Sequence, residues 1–474
     1  MPRTPLHRRP ELAIQLSDSQ RTYRPGDIIN GRVVRTAPID APKIHVIIQL
    51  FGCAASAIES PFFGDGMTTT ILREEYDFFN EKENTEHLYL GPIRIDDGDQ
   101  NAVSWPFSIT IPTRPSPETV AADHRQELSY LPLDRDKVAQ QDLPGSFLFQ
   151  SQRAFDTFQG YVAYYLTAKL QLGYQNFGGR ATRSIIVRGR STEQPIIDVA
   201  AKSVELRSEI SSRRLVPGKI ESRFSFAERV RRLFDVSKVS RLPFAVYAEL
   251  PTVIQIGNPK PIPFRIRIMP HLDPASRDLS NKFSIAVKLV SISLQLLSHT
   301  TVQARPNIGK AVTTAHETIV SFCISQEFNT AISGLPGSLS RDTDRSGAQI
   351  DNDLGSVLQL GLESRGPTVR GKLLEDLSGE RQPIKPCFTT YNIKHWHQLE
   401  CQVKLDVSGR PETVAGEQVV EILGLSENQA MQERVEIGED EMQKSDSTQK
   451  GSAGVDLETA TDIVNIVGGL LLSV

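Results

Sequence analysis

Two imidazoles stand two residues apart at one place in the chain, His395-Trp396-His397, and the other histidines are scattered. On a β-strand an i, i+2 pair shares one face, so His395 and His397 could offer two ligands to a metal ion. A site needs a further donor, and only Glu400 and Cys401 follow closely. We favour ordinary loop or sheet-surface histidines, and assign no metal ligand. Cys53, Cys323, Cys387 and Cys401 lie far apart without a CxxC pair. In a chain this long they read as reduced structural thiols of a cytosolic protein. The chain has no G-x-S-x-G, no P-loop and no G-x-G-x-x-G opening a helix, so we expect neither an enzyme nor a cofactor.

The strongest charge pattern lies at Arg207–Arg241, where ten bases face four acids. Within it Phe226, Val230, Leu233 and Phe234 recur at i, i+4, i+7 and i+8, one face of a helix. Arg223, Arg229, Arg231 and Arg232 lie around that pattern. One reading is an amphipathic helix on an anionic membrane surface, where each base contributes about 1 kcal/mol. The other, which we favour, is a helix or loop packed on its own domain with its arginines solvated. Arginine clusters also hold phosphate through charge-assisted hydrogen bonds, so phosphorylated or acidic tails are candidate ligands.

The totals limit the remaining classes. A net charge of −4 over 474 residues lacks the basic surface that nucleic-acid binding demands. The apolar fraction of 39% supports a real core beside sizeable solvated loops. The N-terminus is basic without an apolar stretch behind it, so no secretory signal is expected. The C-terminal run Ile463–Val474 is too short to span a bilayer, which takes about 20 apolar residues. It reads as a modest docked helix or a frayed end, with an autoinhibitory strand on a sheet edge as the minority alternative.

Period-2 alternation dominates the elements that must position these residues. It marks Leu12–Leu16, Lys43–Leu50, Trp105–Ile111 and Tyr161–Leu170, then Phe264–Ile268, Thr318–Ile324 and Cys401–Val407. In a half-buried antiparallel sheet successive side chains point to opposite faces, which produces this pattern. From Phe283 to Leu297 the phase slips once, between Leu289 and Val290, which predicts a β-bulge or a strand crossing between sheets. No βαβ rhythm is present. The expected fold is all-β: two consecutive antiparallel immunoglobulin-like β-sandwiches. Residues 1–9 are a disordered N-terminus, 10–194 the first domain and 195–424 the second. Residues 112–142, the basic 207–241 segment and 329–386 are expected to be long loops. The tail, 425–474, is expected to be disordered, because between Ser426 and Asp462 ten acids meet three bases.

Several segments carry a family resemblance. In Tyr23-Arg-Pro25-Gly26-Asp27-Ile-Ile-Asn-Gly31-Arg-Val33 a tight turn leads into a strand, and the Ile44–Leu50 strand follows. Trp105-Pro106-Phe107 runs through Ile111-Pro112, and Leu143-Pro144-Gly-Ser-Phe147 precedes Tyr161–Leu166 with Tyr164 at its centre. In order and spacing across residues 11–190 these resemble the N-domain of the arrestin superfamily, and α-arrestins in particular. Ser203–Ile210, Val216-Pro217-Gly218, Pro259–Ile268 and Tyr391–His397 are compatible with an arrestin C-domain.

The resemblance implies a non-enzymatic adaptor at the cytoplasmic side of plasma membrane or endosomes. It would bind the cytoplasmic tails or loops of transporters or receptors for endocytosis, sorting or ubiquitin-dependent trafficking. A ubiquitin ligase is a partner the resemblance implies, yet no P-P-x-Y or L-P-x-Y motif for WW domains is present. The chain therefore reads as a divergent or cargo-only member. Two other classes stay open: a retromer-type coat or scaffold subunit, and a β-sandwich metalloenzyme that would need metal at His395 and His397.

Overall fold

The computed structural model describes residues 12–18, 22–62, 68–96, 102–120, 124, 126, 129–153, 156–172, 176–189, 191–211, 241–270, 287–304, 313–332, 353–373, 383–407 and 410–430. The first half contributes β1 (Ala13–Leu16), β2 (Ile28–Arg35), β3 (Ile39–Phe62), β4 (Thr68–Asp77), β5 (Thr85–Ile95) and β6 (Val103–Thr110). After a single turn of helix α1 (Arg135–Val138) come β7 (Phe147–Arg153), β8 (Asp156–Leu172) and β9 (Asn176–Ile185). The second half begins with β10 (Ala201–Ser211), β11 (Arg241–Pro251), β12 (Val253–Gln255), β13 (Arg265–Pro270), β14 (Val287–Ala304) and β15 (Thr313–Ile332). It continues with helix α2 (Leu354–Leu358), β16 (Leu360–Glu363), β17 (Gly366–Val369), β18 (Lys372–Leu373) and β19 (Phe388–Thr389), then β20 (Ile393–Val407) and β21 (Arg410–Leu423). The protein is all-β in character, and no described helix is long and apolar enough to cross a membrane.

Alternation in the sequence becomes alternation in burial along β6 and β20, whereas β3 is buried on both faces from Val46 to Leu50. Along β3, Ile44, Val46, Ile48 and Leu50 are buried against Ile14, Ile29, Val33, Trp105, Phe107 and Ile109 of the β1-β2-β6 sheet. Each such aliphatic side chain contributes about 2 kcal/mol by leaving water. In β8 the pattern is stronger than expected. Tyr161, Ala163 and Tyr165 on its other face are buried as well, in a small separate cluster with Cys53 and Ala55 of β3. A strand buried on both faces still looks amphipathic when half of its inward positions are tyrosine and alanine.

A second core takes Leu206, Val246, Ala248 and Ile266 from the β10-β11-β13 sheet. Against them stand Leu294, Leu296, Leu399, Cys401, Val403, Leu405, Val420 and Ile422 from the β12-β21-β20-β14-β15 sheet. The predicted phase slip is present: the register of β14 shifts between Leu289 and Ser291 against both β15 and β20. That bulge keeps Leu289 and Ile292 both in the core.

Two loop expectations and the expectation for the start of the tail are corrected. Residues 207–211 and Arg241 are strand, because β10 and β11 pair all the way to Ser211 and Arg241. The stretch 329–386 opens with the end of β15, which runs to Ile332. It also holds α2 and the β16-β17-β18 sheet, whose Leu354, Leu360 and Leu362 enter the second core with Ile384. At the start of the tail, Ser426 and Ala430 are buried and a helical turn spans 427–430. Glu427 there pairs with Arg24 at 3.3 Å. The remainder of the tail, and residues 1–9, lie outside the described residues.

Candidate functional site

Chemistry-bearing side chains converge where the two cores meet. The end of β14, the start of β15 and the start of β20 with the residues leading into it extend past the second core, and Val302, Ala304, Ala315, Tyr391 and Ile393 are part of the first. The residue between the last two is Asn392, fully buried. Its side-chain amide donates to the Ala54 carbonyl at 3.3 Å, the Ser56 hydroxyl at 3.0 Å and the Glu74 carbonyl at 3.1 Å. Ser56 in turn donates to the Gln303 carbonyl at 2.6 Å, and the Gln303 amide donates to the Tyr391 carbonyl at 3.0 Å. That carbonyl also accepts from the Tyr130 N–H, and the Tyr391 ring stacks on Tyr76 with centroids 4.8 Å apart. A buried network of this kind is costly to leave half-made, so it fixes one arrangement of the two halves.

A short step along β20, the paired imidazoles lie on one face as predicted, but the expected surface placement is corrected: both are buried, because the odd-numbered positions of β20 face inward with Leu399 and Cys401. His395 Nδ1 is 2.9 Å from the Thr300 hydroxyl, and its ring sits 5.0 Å from Phe147 and 5.8 Å from Phe388. His397 Nδ1 lies 3.3 Å from the Cys387 sulfur, and the two imidazoles meet edge-on at 4.8 Å. Burial drives both pKa values down, His395 to about 4 and His397 to about 3. Mutual repulsion adds to the effect at His397, while the Lys385 backbone opposes it at His395. Burial also pushes the thiol of Cys387 up to about 11 and that of Cys401 up to about 12, which leaves both unreactive at neutral pH.

As for metal chemistry, Glu400 points to the opposite face of β20 and Cys401 sits in the second core, so neither joins the histidine pair. Among the described residues no group of three or more His, Cys, Asp or Glu side chains is placed to hold a metal ion. Cys53, Cys387 and Cys401 are free thiols. A cleft of about 200 Å³ is lined by Phe79, Glu83, Asn84, Arg114, Ser116 and Glu118. It is smaller than the roughly 300–1,000 Å³ typical of small-molecule sites.

The motif residues occupy structural positions. Pro25 and Gly26 are the central pair of a turn closed by the Asp27 N–H donating to the Arg24 carbonyl at 3.0 Å. Gly26 has φ +90°, as position i+2 of a type II turn requires. Gly31 lies opposite Phe107, whose ring fills the space a Cβ would need. Pro106 is on the edge strand β6, where its missing N–H breaks no ladder. Pro112 follows Ile111, which exchanges backbone hydrogen bonds with Gly26 and Asp27. Tyr23 is buried in a parallel bridge to Val187, and the Tyr164 hydroxyl donates to the Pro144 carbonyl at 2.7 Å. Arg223, Arg229, Arg231 and Arg232 lie outside the described residues. No protein-family model matches the chain, and no curated protein matches it.

Proposed function

We propose that the chain is a non-enzymatic, arrestin-like adaptor made of two consecutive antiparallel immunoglobulin-like β-sandwiches. In this reading it works in the cytoplasm, peripheral to plasma membrane or endosomes. It binds cytoplasmic segments of transporters or receptors and passes them to endocytosis, sorting or ubiquitin-dependent trafficking. The observation that carries the reading is the pair of separate hydrophobic cores joined by the Asn392 seam. Two cores held together by a buried hydrogen-bonded seam suit a scaffold that presents extended surfaces, and the motif sequence around Tyr23–Val33 supports the arrestin likeness. His395 and His397, near the seam, are held neutral and buried, which suits a structural role better than acid–base catalysis.

The test is a surface-biotinylation comparison between cells with the protein and cells from which it has been deleted. A defined set of transporters or receptors should persist at the surface of the deletion cells, and re-expression should restore their removal. An unchanged surface proteome and unchanged uptake would overturn the reading.

A further inference from the structure

The outer face of the second-half sheet has its own composition. Even-numbered residues of β20, odd-numbered residues of β21 and those odd-numbered residues of β14 that follow the bulge at Leu289 point away from the second core, whose partners are Leu399, Cys401, Leu294, Leu296 and Val420. One cross-strand row on that outer face runs Val419, Gln398, Leu297, Val320. Its two end residues are 58% and 49% exposed, unusual for valines in register with one another. The row spans four strands, about 14 Å, the reach of a short extended peptide segment. Trp396, in the next row, stacks on His299 with centroids 3.9 Å apart, and His316 flanks the stack.

Negative charge concentrates around this apolar strip. Glu400 and Glu417 stand directly opposite each other on β20 and β21, with Gln295 completing the row. Like charges so placed repel, and Gln398 is drawn to Glu417 at 2.7 Å. Glu421 lies on the same face of β21. The same-face bases of β20, Lys394 and Lys404, fall outside these rows. His299 within the face is only 7% exposed; its Nδ1 is 3.0 Å from the Thr318 hydroxyl, while its Nε2 has no hydrogen-bond partner among the described residues.

We propose that this face docks a cationic segment of a membrane protein, with Lys or Arg side chains set between Glu400, Glu417 and Glu421. An apolar side chain of the segment would lie over Val419, Leu297 and the edge of Trp396. Charge complementarity selects that occupant. Segments flanking transmembrane helices on the cytoplasmic side carry an excess of Lys and Arg next to apolar residues. A bare anionic lipid surface would be repelled here. The inference rests on the adaptor reading and names its cargo chemistry.

The probe is a short fluorescent peptide of Lys, Arg, Leu and Ser, compared with a counterpart carrying Glu at every basic position. Anisotropy with the full chain should show salt-sensitive binding of the basic peptide only. The E400Q/E417Q/E421Q variant should weaken it roughly tenfold, the sum expected of three exposed ion pairs. V419K should weaken it through a different chemistry, while both variants keep the wild-type circular dichroism. Equal affinity of wild type and the triple Gln variant, or equal affinity for both peptides, would overturn the proposal. In cells, wild type and triple variant are compared by proximity labelling. Identical membrane-protein neighbours for both would sink the docking face and leave the adaptor reading standing. No membrane-protein neighbours for wild type would sink the adaptor reading itself.

Discussion

Acidification should destabilise the protein through two buried histidines. His395 and His397 are held neutral, with folded pKa values of about 4 and 3 against an ordinary value of 6.5. Near pH 5 the folded state leaves both rings unprotonated, whereas the unfolded chain binds a proton at each. Lowered folded pKa values therefore give stability that is complete above about pH 6.5 and drains away as pH falls towards 4 and then 3. At pH 5 the unfolded state gains about 2 kcal/mol per histidine, or about 4 kcal/mol for the pair. Asp77 acts in the opposite sense, since partial desolvation by the surrounding chain and the neighbouring Glu75 and Glu81 raise its carboxyl to about 6. Its side chain is exposed on β4, so solvent screening reduces that opposing effect.

A variant with Asn at 395 and 397 isolates the histidines, because its amides reach the positions of the Nδ1 atoms without titrating. Urea midpoints followed from about pH 7.5 to about pH 5 should fall steeply for wild type and far less for the double variant. The double variant loses packing at every pH, so the slope is what matters. Equal slopes would refute the assignment of these rings as buried and neutral.

Asn392→Ala leaves buried Ser56 and two carbonyls without their donor, and should cost about 2–4 kcal/mol in unfolding free energy measured at neutral pH. Gly160→Val places a Cβ 2.7 Å from Val302 and against Ile393 at the seam. It should lower the thermal midpoint by an amount equivalent to about 1–3 kcal/mol. Tyr164→Phe removes the hydroxyl that Pro144 accepts from and should cost about 1–2 kcal/mol in the same assay, with no change in secondary structure by circular dichroism.

Strand positions were legible where one face is wet: the alternation at Trp105–Ile111 and Cys401–Val407 reads directly as burial, while along Ile44–Leu50 the opposite face is buried as well, at Ile47 and Gln49. The slip at Leu289 was legible for the same reason, since a bulge must move the hydrophobic phase by one residue. The turn at Pro25-Gly26 followed from the φ values those residues favour. The Asn392 seam was not legible. A buried asparagine between Tyr391 and Ile393 looks like a polar residue opening a strand, and its partners Ser56 and Gln303 are far away in sequence.

The histidine pair was visible, but its real neighbours, Thr300 and Cys387, arrive through strand pairing and a bend that no local spacing encodes. The acidic outer face was missed because Glu400 and Glu417 become neighbours only through the register of β20 and β21. The β16–β18 sheet was read as loop, since strands of two to four residues rich in glycine are too short to show periodicity.

The most direct measurement is proximity labelling in living cells with the full chain as bait. Enrichment of plasma-membrane or endosomal transporters and receptors, with endocytic or ubiquitin-ligase components, is the expected result. A single cytosolic complex of fixed stoichiometry, with no membrane proteins among its neighbours, would contradict the adaptor reading and favour a coat or scaffold subunit.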